Sequence, residues 1–300
     1  MKRSYRGRFA PSPTGPLHRG SLVTALASWL DARAHDGKWL IRIENIDPPR
    51  ARRGAAEEQL AVLGEFGMVS DEPILEQGSR SEAYIAAIQQ LQKQGQTYLC
   101  SCGRARQAAR AGGMNPGVYP GTCRNRAVVP PAAVRFLATP GPVGFTDRAQ
   151  GGFVQDVAQA VGDFIIKRAD QLWAYQLAVV VDDAHQGITD VVRGADLLDN
   201  TPRQILLQRA LGFALPRYLH VPLVCDARGR KLSKHDGAQA LGATNALTEL
   251  ERALQHLGFA PTGAHGVSQF QQRAIALWRQ RWCAESREDP RQGDSRTVGS

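Results

Sequence analysis

Between Arg6 and Glu44 the chain reads as strand, stiff turn, helix and strand, an order that narrows the fold to one built on a βαβ unit. Arg6-Gly7-Arg8-Phe9-Ala10 has the pattern of a short strand, stopped by Pro11-Ser12-Pro13-Thr14-Gly15-Pro16. From about Ser21, Leu22, Leu26, Trp29 and Leu30 recur at helical spacing, with Asp31 and Arg33 off that face. Asp36-Gly37 ends the helix, and Lys38 to Glu44 reads as a strand with β-branched Ile41 and Ile43. Neighbouring strands joined through a helix run parallel, so a parallel sheet is expected.

Helical patterns follow at 56–66, 81–94 and 202–211, and strands are expected at 188–192 and 219–224. The apolar run 177–181 fits a buried strand or a buried helix equally well. The span 97–150, rich in Gly, Pro and Arg and weak in periodicity, reads as a small insertion into a catalytic domain made of 1–96 and 151–240. Leu247, Leu250, Leu254 and Leu257, then 270–282, predict a helical region over 241–284, with 285–300 a disordered polar tail.

No stretch approaches the roughly 20 apolar residues of a membrane span, and the basic N-terminus has no apolar core like that of a secretory signal, so a cytoplasmic protein is expected. The formal net charge is +9, and its distribution is one-sided. Positions 83–146 hold no Asp or Glu, but do hold Lys93, Arg104, Arg106, Arg110, Arg124, Arg126 and Arg135, a pattern suited to contacting nucleic-acid phosphates. Five cysteines without a signal segment argue against a disulfide framework. Cys100, Cys102 and Cys123 crowd together and predict a metal site with its fourth ligand open, since no His lies nearby in sequence. Cys225 and Cys283 read as core thiols.

Two loops carry the chemistry. Pro13-Thr14-Gly15-Pro16-Leu17-His18-Arg19-Gly20-Ser21 lies between a strand and a helix, where backbone N–H groups and the helix dipole favour phosphate. His18 there is either a phosphate donor or a local helix cap. Lys231-Leu232-Ser233-Lys234 follows the strand at 219–224, and two lysines three apart can neutralise charge as pyrophosphate departs.

Arg8-Phe9-Ala10-Pro11-Ser12-Pro13-Thr14-Gly15 with Leu17-His18-Arg19-Gly20 resembles the opening of the glutamyl-tRNA synthetases, class I aminoacyl-tRNA synthetases. Arg42 to Asp47, Ala178 to Asp183, Gly187-Ile188-Thr189, Arg193 to Asp196, Asn200 to Gln204 and the Lys231–Lys234 loop are similar to their later blocks, in order. Two departures stand out: Ser21 ends the first motif, and only about 60 residues follow the lysine loop, too few for an anticodon-binding domain. Cys100-x-Cys102 with Tyr119-x-x-x-Cys123 resembles the insertion of the glutamyl-queuosine tRNA(Asp) synthetases, the branch resembling the catalytic half alone.

The resemblance implies a Rossmann-like parallel sheet with helices on both faces, a zinc-bearing insertion, a short helical C-terminal region and no anticodon-binding domain. It implies ATP-dependent formation of glutamyl-adenylate and transfer of glutamate to the queuosine base of tRNA(Asp), using one structural Zn²⁺ and Mg²⁺ with ATP; a monomer is expected, though the sequence does not fix the oligomeric state. His18, Lys231 and Lys234 are implied as catalytic, with Pro13, Thr14, Gly15, Gly20 and Ser21 completing the ATP site. Arg8, Phe9, Ala10, Pro11, Ser12, Glu44, Tyr175 and Arg193 are implied for glutamate, and Tyr119 as the fourth metal ligand. The alternatives are a truncated synthetase charging a tRNA 3′ end, a non-catalytic tRNA-binding paralogue, and a nucleotidylyltransferase with a similar first loop.

Overall fold

The computed structural model describes residues 4–103, 118–225, 241 and 246–283. The expected opening unit is present. β1 (Arg6–Phe9) leads through α1 (Arg19–Ala34) to β2 (Lys38–Ile43), and β1 and β2 pair in parallel with Arg8 beside Leu40. α2 (Ala55–Glu65), β3 (Leu75–Glu76) and α3 (Ser81–Lys93) follow, then β4 (Thr97–Cys100), β5 (Ala133–Phe136), β6 (Pro142–Asp147) and β7 (Gly151–Asp156). The chain continues through α4 (Val157–Ala160), β8 (Phe164–Lys167), α5 (Tyr175–His185), β9 (Asp190–Gly194), α6 (Thr201–Leu211) and β10 (Arg217–Val221). α7 (Ala246–His256) and α8 (Val267–Trp282) complete the described residues.

The main sheet has the order β3-β2-β1-β9-β10-β6-β7, parallel except for the edge strand β7. Side chains alternate across each strand, which decides what each face carries. Phe9, Trp39, Ile41, Val192, Leu219 and Val221 enter one core with α1, α2, α7 and α8. Leu40, Val191 and Tyr218 enter the other with α3, α5 and α6. The sheet is thus covered on both faces, as parallel sheets require. Residues 177–181 resolve as helix: α5 packs against α3, α6 and β8, and burial on all sides erases its periodicity.

The expected domain boundaries shift. The span 97–150 is not a self-contained insertion: β4 and β5 form a three-stranded antiparallel sheet with β8, and β6 joins the main sheet beside β10. The boundary expected at 150 falls inside the β6–β7 hairpin, whose edge position leaves it half-exposed and patternless. The C-terminal helices share the core of α1 rather than packing apart from it, with Leu250, Leu254, Phe270 and Trp278 beside Leu22, Leu26 and Trp29. They cover the α1 surface that helical periodicity assigns to solvent, and Asp31 is fully buried as a result.

Cys225 is exposed and Cys283 half-buried at the end of α8, so neither is a core thiol. The lysine loop, the tail, and Arg104, Arg106 and Arg110 lie outside the described residues. No helix among the described residues is long and apolar enough to cross a membrane.

Candidate active site

Along the face carrying Leu40, Val191 and Tyr218, the next inward-facing positions toward the strand C-termini are Arg42, Arg193 and His220. Arg8 lies on the same face of β1. Three arginines and a histidine, all buried, therefore replace apolar side chains where open α/β sheets bind ligands. Two of them, Arg8 and Arg193, line a cleft of about 1180 Å³ formed from β1, the 10–24 segment, the 44–51 segment, Tyr175 and the 192–197 segment. Arg8, Phe9, Ala10, Pro11, Ser12, Pro13, Thr14, His18, Gly20, Ser21, Glu44, Tyr175 and Arg193 all contribute to its walls. The Phe9 ring also belongs to the core, stacked on Trp39.

The first loop is held from behind. Gln59 of α2, fully buried, donates Nε2 to the carbonyls of Ser12 (3.1 Å) and Gly15 (2.6 Å). Gly15 has φ of 147°, a backbone conformation that side chains resist. A Cβ on Gly20 would stand 3.0 Å from the His18 ring. His18 is the N-cap of α1, its Nδ1 accepting the Ser21 amide at 3.2 Å. Cap and donor are therefore compatible roles: an accepting Nδ1 leaves the neutral ring's proton on Nε2, from which a phosphate oxygen can accept it.

The cations differ in how they are paired. Arg8 Nε donates to Asp183 Oδ1 at 3.1 Å, and Arg42 Nη1 donates to the same oxygen at 2.7 Å. Burial pushes the Asp183 carboxyl up, but Arg8 and Arg42 outweigh it and hold the pKa below the ordinary value. Arg193, 3% exposed, forms no ion pair with any described residue. Glu44 approaches Arg42 Nη2 at 3.5 Å, yet its buried Oε1 makes no hydrogen bond. Burial raises its pKa, with Arg42 and Arg8 pulling the other way. In one cleft, a guanidinium with no ion pair among the described residues and a carboxylate with an unbonded buried oxygen suit a zwitterionic ligand bearing both a carboxylate and an ammonium group.

A second cluster lies at the end of β4. The Sγ atoms of Cys100, Cys102 and Cys123 all lie within 4.8 Å of one another, with Cys102 and Cys123 at 3.5 Å. A tetrahedral ion with Zn–S bonds of about 2.3 Å separates its sulfurs by about 3.8 Å, so the donor set fits. Burial pushes the Cys123 thiol up, but hydrogen bonds from Tyr119, the Ser101 backbone and the neighbouring thiols bring its pKa down to about 7. The Tyr119 oxygen accepts from Cys100 Sγ at 3.4 Å and from the Cys123 amide at 3.0 Å, which places it at the cluster. Its ring lies under the Arg135 guanidinium at 3.6 Å.

The model of the class I tRNA synthetases (E and Q), catalytic domain, matches residues 4–273. The glutamyl-Q tRNA(Asp) synthetase of Burkholderia cenocepacia is 52% identical over 94% of this chain and 98% of that protein. Its counterpart in Xanthomonas oryzae pv. oryzae is 56% identical over 86% of this chain and 84% of that protein. The chain belongs to the glutamyl-Q tRNA(Asp) synthetase family. Among solved structures, a glutamate tRNA ligase from Elizabethkingia meningosepticum, in complex with its amino acid, superposes with a TM-score of 0.75 at 26% identity. That match covers 91% of this chain and 64% of the other. The glutamate-tRNA synthetase of Elizabethkingia anophelis gives a TM-score of 0.69 at 30% identity over 78% of this chain, which spans about half (53%) of that one.

In this glutamyl-Q tRNA(Asp) synthetase family member, several residues that sequence reasoning passed over organise the site. Asp182 takes Tyr84 Oη at 2.5 Å, Gln77 Nε2 at 2.9 Å and Arg80 Nε at 3.1 Å, and Asp183 holds Arg8 of the cleft wall and the fully buried Arg42. Two consecutive acids closing the apolar run 177–181 were the available sign of buried carboxylates. Gln59 and His220 offered no comparable sign. The basic stretch divides too. Arg135 is buried and donates to the Asp163 carbonyl, an internal support, whereas Arg124 is exposed and forms a two-pronged pair with Asp163 at 2.7 and 2.9 Å. Arg126 is exposed and forms no ion pair with a described residue.

Proposed function

We propose that the chain activates glutamate with ATP and transfers it to the queuosine base of tRNA(Asp). What carries this reading is the likeness, over nearly the whole of both chains, to proteins named for that reaction. In the first step the glutamate α-carboxylate attacks the α-phosphorus of ATP, forming glutamyl-adenylate and releasing pyrophosphate. No enzyme nucleophile is needed, so positioning and charge stabilisation supply the catalysis. His18 and the 13–21 loop take the phosphates, Lys231 and Lys234 neutralise the departing pyrophosphate, and Mg²⁺ enters with the nucleotide as part of the substrate. Arg8 and Arg193 serve carboxylate, Glu44 takes the α-ammonium, and Ala10, Ser12 and Tyr175 shape the pocket. A queuosine cyclopentene hydroxyl then attacks the adenylate carbonyl and expels AMP. A cytoplasmic location belongs to the same reading.

The test is glutamate-dependent ATP–pyrophosphate exchange without RNA, then transfer to tRNA(Asp) with and without queuosine. Exchange without RNA and transfer only to the queuosine form is the expected result, whereas transfer to tRNA(Glu) would sink the reading. Arg126→Glu is expected to weaken transfer about threefold or more at low salt, by losing one phosphate contact, while leaving exchange intact. Equal loss of both activities would remove Arg126 from the RNA surface.

Cys100, Cys102 and Cys123 with Tyr119 are proposed to hold one Zn²⁺, which would tie β4 to the 119–123 segment. Metal analysis is expected to find one zinc per chain, and Cys123→Ser to lose it with a lower melting temperature. A metal-free protein of unchanged stability would count against the site.

A further inference from the structure

We infer that His220 and Asp147 are positioning residues for Arg193, holding its guanidinium toward the cleft without cancelling its charge. The inference rests on the cleft being the glutamate site. His220 on β10 lies in register beside Arg193 on β9 and is fully buried. Its Nε2 stands 3.0 Å from Arg193 Nε. An arginine Nε can only donate, so His220 Nε2 must carry a lone pair, and the ring proton must sit on Nδ1. Nδ1 is 2.6 Å from Asp147 Oδ2, which accepts it.

Asp147 can only be an acceptor there. Its Oδ1 takes the amides of Ala149 (2.9 Å), Gln150 (2.9 Å) and His220 (3.2 Å). Burial works against the charged form, but these hydrogen bonds and that of His220 hold the carboxyl down at about 2. Burial likewise keeps His220 less basic than usual, with Asp147 opposing and the charges of Arg193 and Arg8 reinforcing. The imidazole therefore stays neutral in the one tautomer that faces Arg193 with an acceptor.

The remaining guanidinium donors are placed in the same way. Nη1 donates to Gln204 Oε1 at 2.8 Å, and Nη2 donates to Thr201 Oγ1 at 2.8 Å and the Leu197 carbonyl at 3.4 Å. Four of the five N–H groups are thus held by neutral acceptors, and one on Nη1 is left for a ligand. A carboxylate at position 220 would orient Arg193 as well, but would neutralise it and compete with the substrate. A neutral imidazole backed by a remote carboxylate orients the cation and leaves its charge available. Such preorganisation lowers the entropic cost of binding.

The experiment is pyrophosphate exchange with the full chain carrying R193A, H220F, H220Q or D147N, with KM measured separately for glutamate and ATP. R193A and H220F should each raise KM for glutamate about tenfold or more, as expected for losing a hydrogen bond to a charged group, with KM for ATP within about twofold. H220Q should recover most of the loss, because the glutamine Oε1 can accept from Arg193 Nε. D147N should resemble H220F despite its unchanged shape. With the introduced carboxamide's oxygen still accepting the three backbone amides, its NH₂ group faces His220, forces the other tautomer, and sets N–H against N–H at Arg193. A structural role alone would move both KM values together, or only the melting temperature, and H220Q would not rescue. R193A raising KM for glutamate while H220F and D147N leave it unchanged overturns the inference and spares the cleft reading. R193A without effect overturns the cleft reading itself.

Discussion

Glu44→Gln is expected to raise the KM for glutamate about a hundredfold in pyrophosphate exchange, with KM for ATP nearly unchanged. Glu44 Oε1 is buried without a hydrogen bond, and Arg42 reaches it only through Nη2 at 3.5 Å, its Nη1 being held by Asp183 at 2.7 Å. A buried carboxylate left in that condition is unfavourable until a donor arrives, and an α-ammonium is such a donor. Removing one member of a buried charge pair costs about 3 kcal/mol, which corresponds to roughly a hundredfold in affinity. The pH dependence follows from the same burial. Burial raises the Glu44 pKa above its ordinary value of 4.5, while Arg42 and Arg8 oppose the rise. As pH falls, Glu44 takes up its proton before an exposed glutamate would, and glutamate affinity declines with it. The kcat/KM profile for glutamate should show this acid limb in the native chain and lose it in Glu44→Gln. A variant with native KM would remove Glu44 from ammonium recognition.

The opening of the fold was legible because its information is local. Proline and glycine mark the turn after β1, and 3.6-residue periodicity marks α1. What local pattern misses is burial imposed from far along the chain. Asp31 lies off the apolar face of α1, yet it is fully buried because α8 and the turn after β6 close over it. His220 reads as a lone histidine in an apolar strand, and its role depends on a β9 neighbour and a β6 carboxylate. The 97–150 span looked separate because its strands pair with β8 and β10, both later in the chain. At the cysteine cluster proposed to hold zinc, three cysteines were visible from spacing, whereas Tyr119 came from the resemblance, since tyrosine carries no metal-site pattern. Arg135 looked like part of an RNA surface, because its buried partner, Asp163, lies beyond the acid-free stretch.

Asp31→Ala is expected to remove about 3–5 kcal/mol of folding stability, a large fraction of the roughly 5–15 kcal/mol that typical chains possess. Asp31 accepts Tyr5 Oη at 2.6 Å, Arg148 at 2.6 and 2.9 Å, and Trp278 Nε1 at 2.8 Å. Truncation leaves a largely buried guanidinium, a phenol and an indole without their acceptor. Burial pushes the Asp31 pKa up, but Arg148, Tyr5 and Trp278 outweigh it, and the folded-state value lies below 3.8. A carboxyl depressed in this way contributes stability that is fully present above the unfolded-state pKa and lost as pH falls through the folded one. The gap between native and variant should therefore hold at neutral pH and narrow in acid below about pH 4. Urea denaturation followed by both tryptophan fluorescence and circular dichroism checks the size and the form of the change. Because Asp31 ties α1 to α8 and to the turn after β6, the transition should move as one, with both probes coincident. A transition that splits in the variant would mean that α7 and α8 unfold as a unit of their own, and that their shared core with α1 is not what holds them to the sheet.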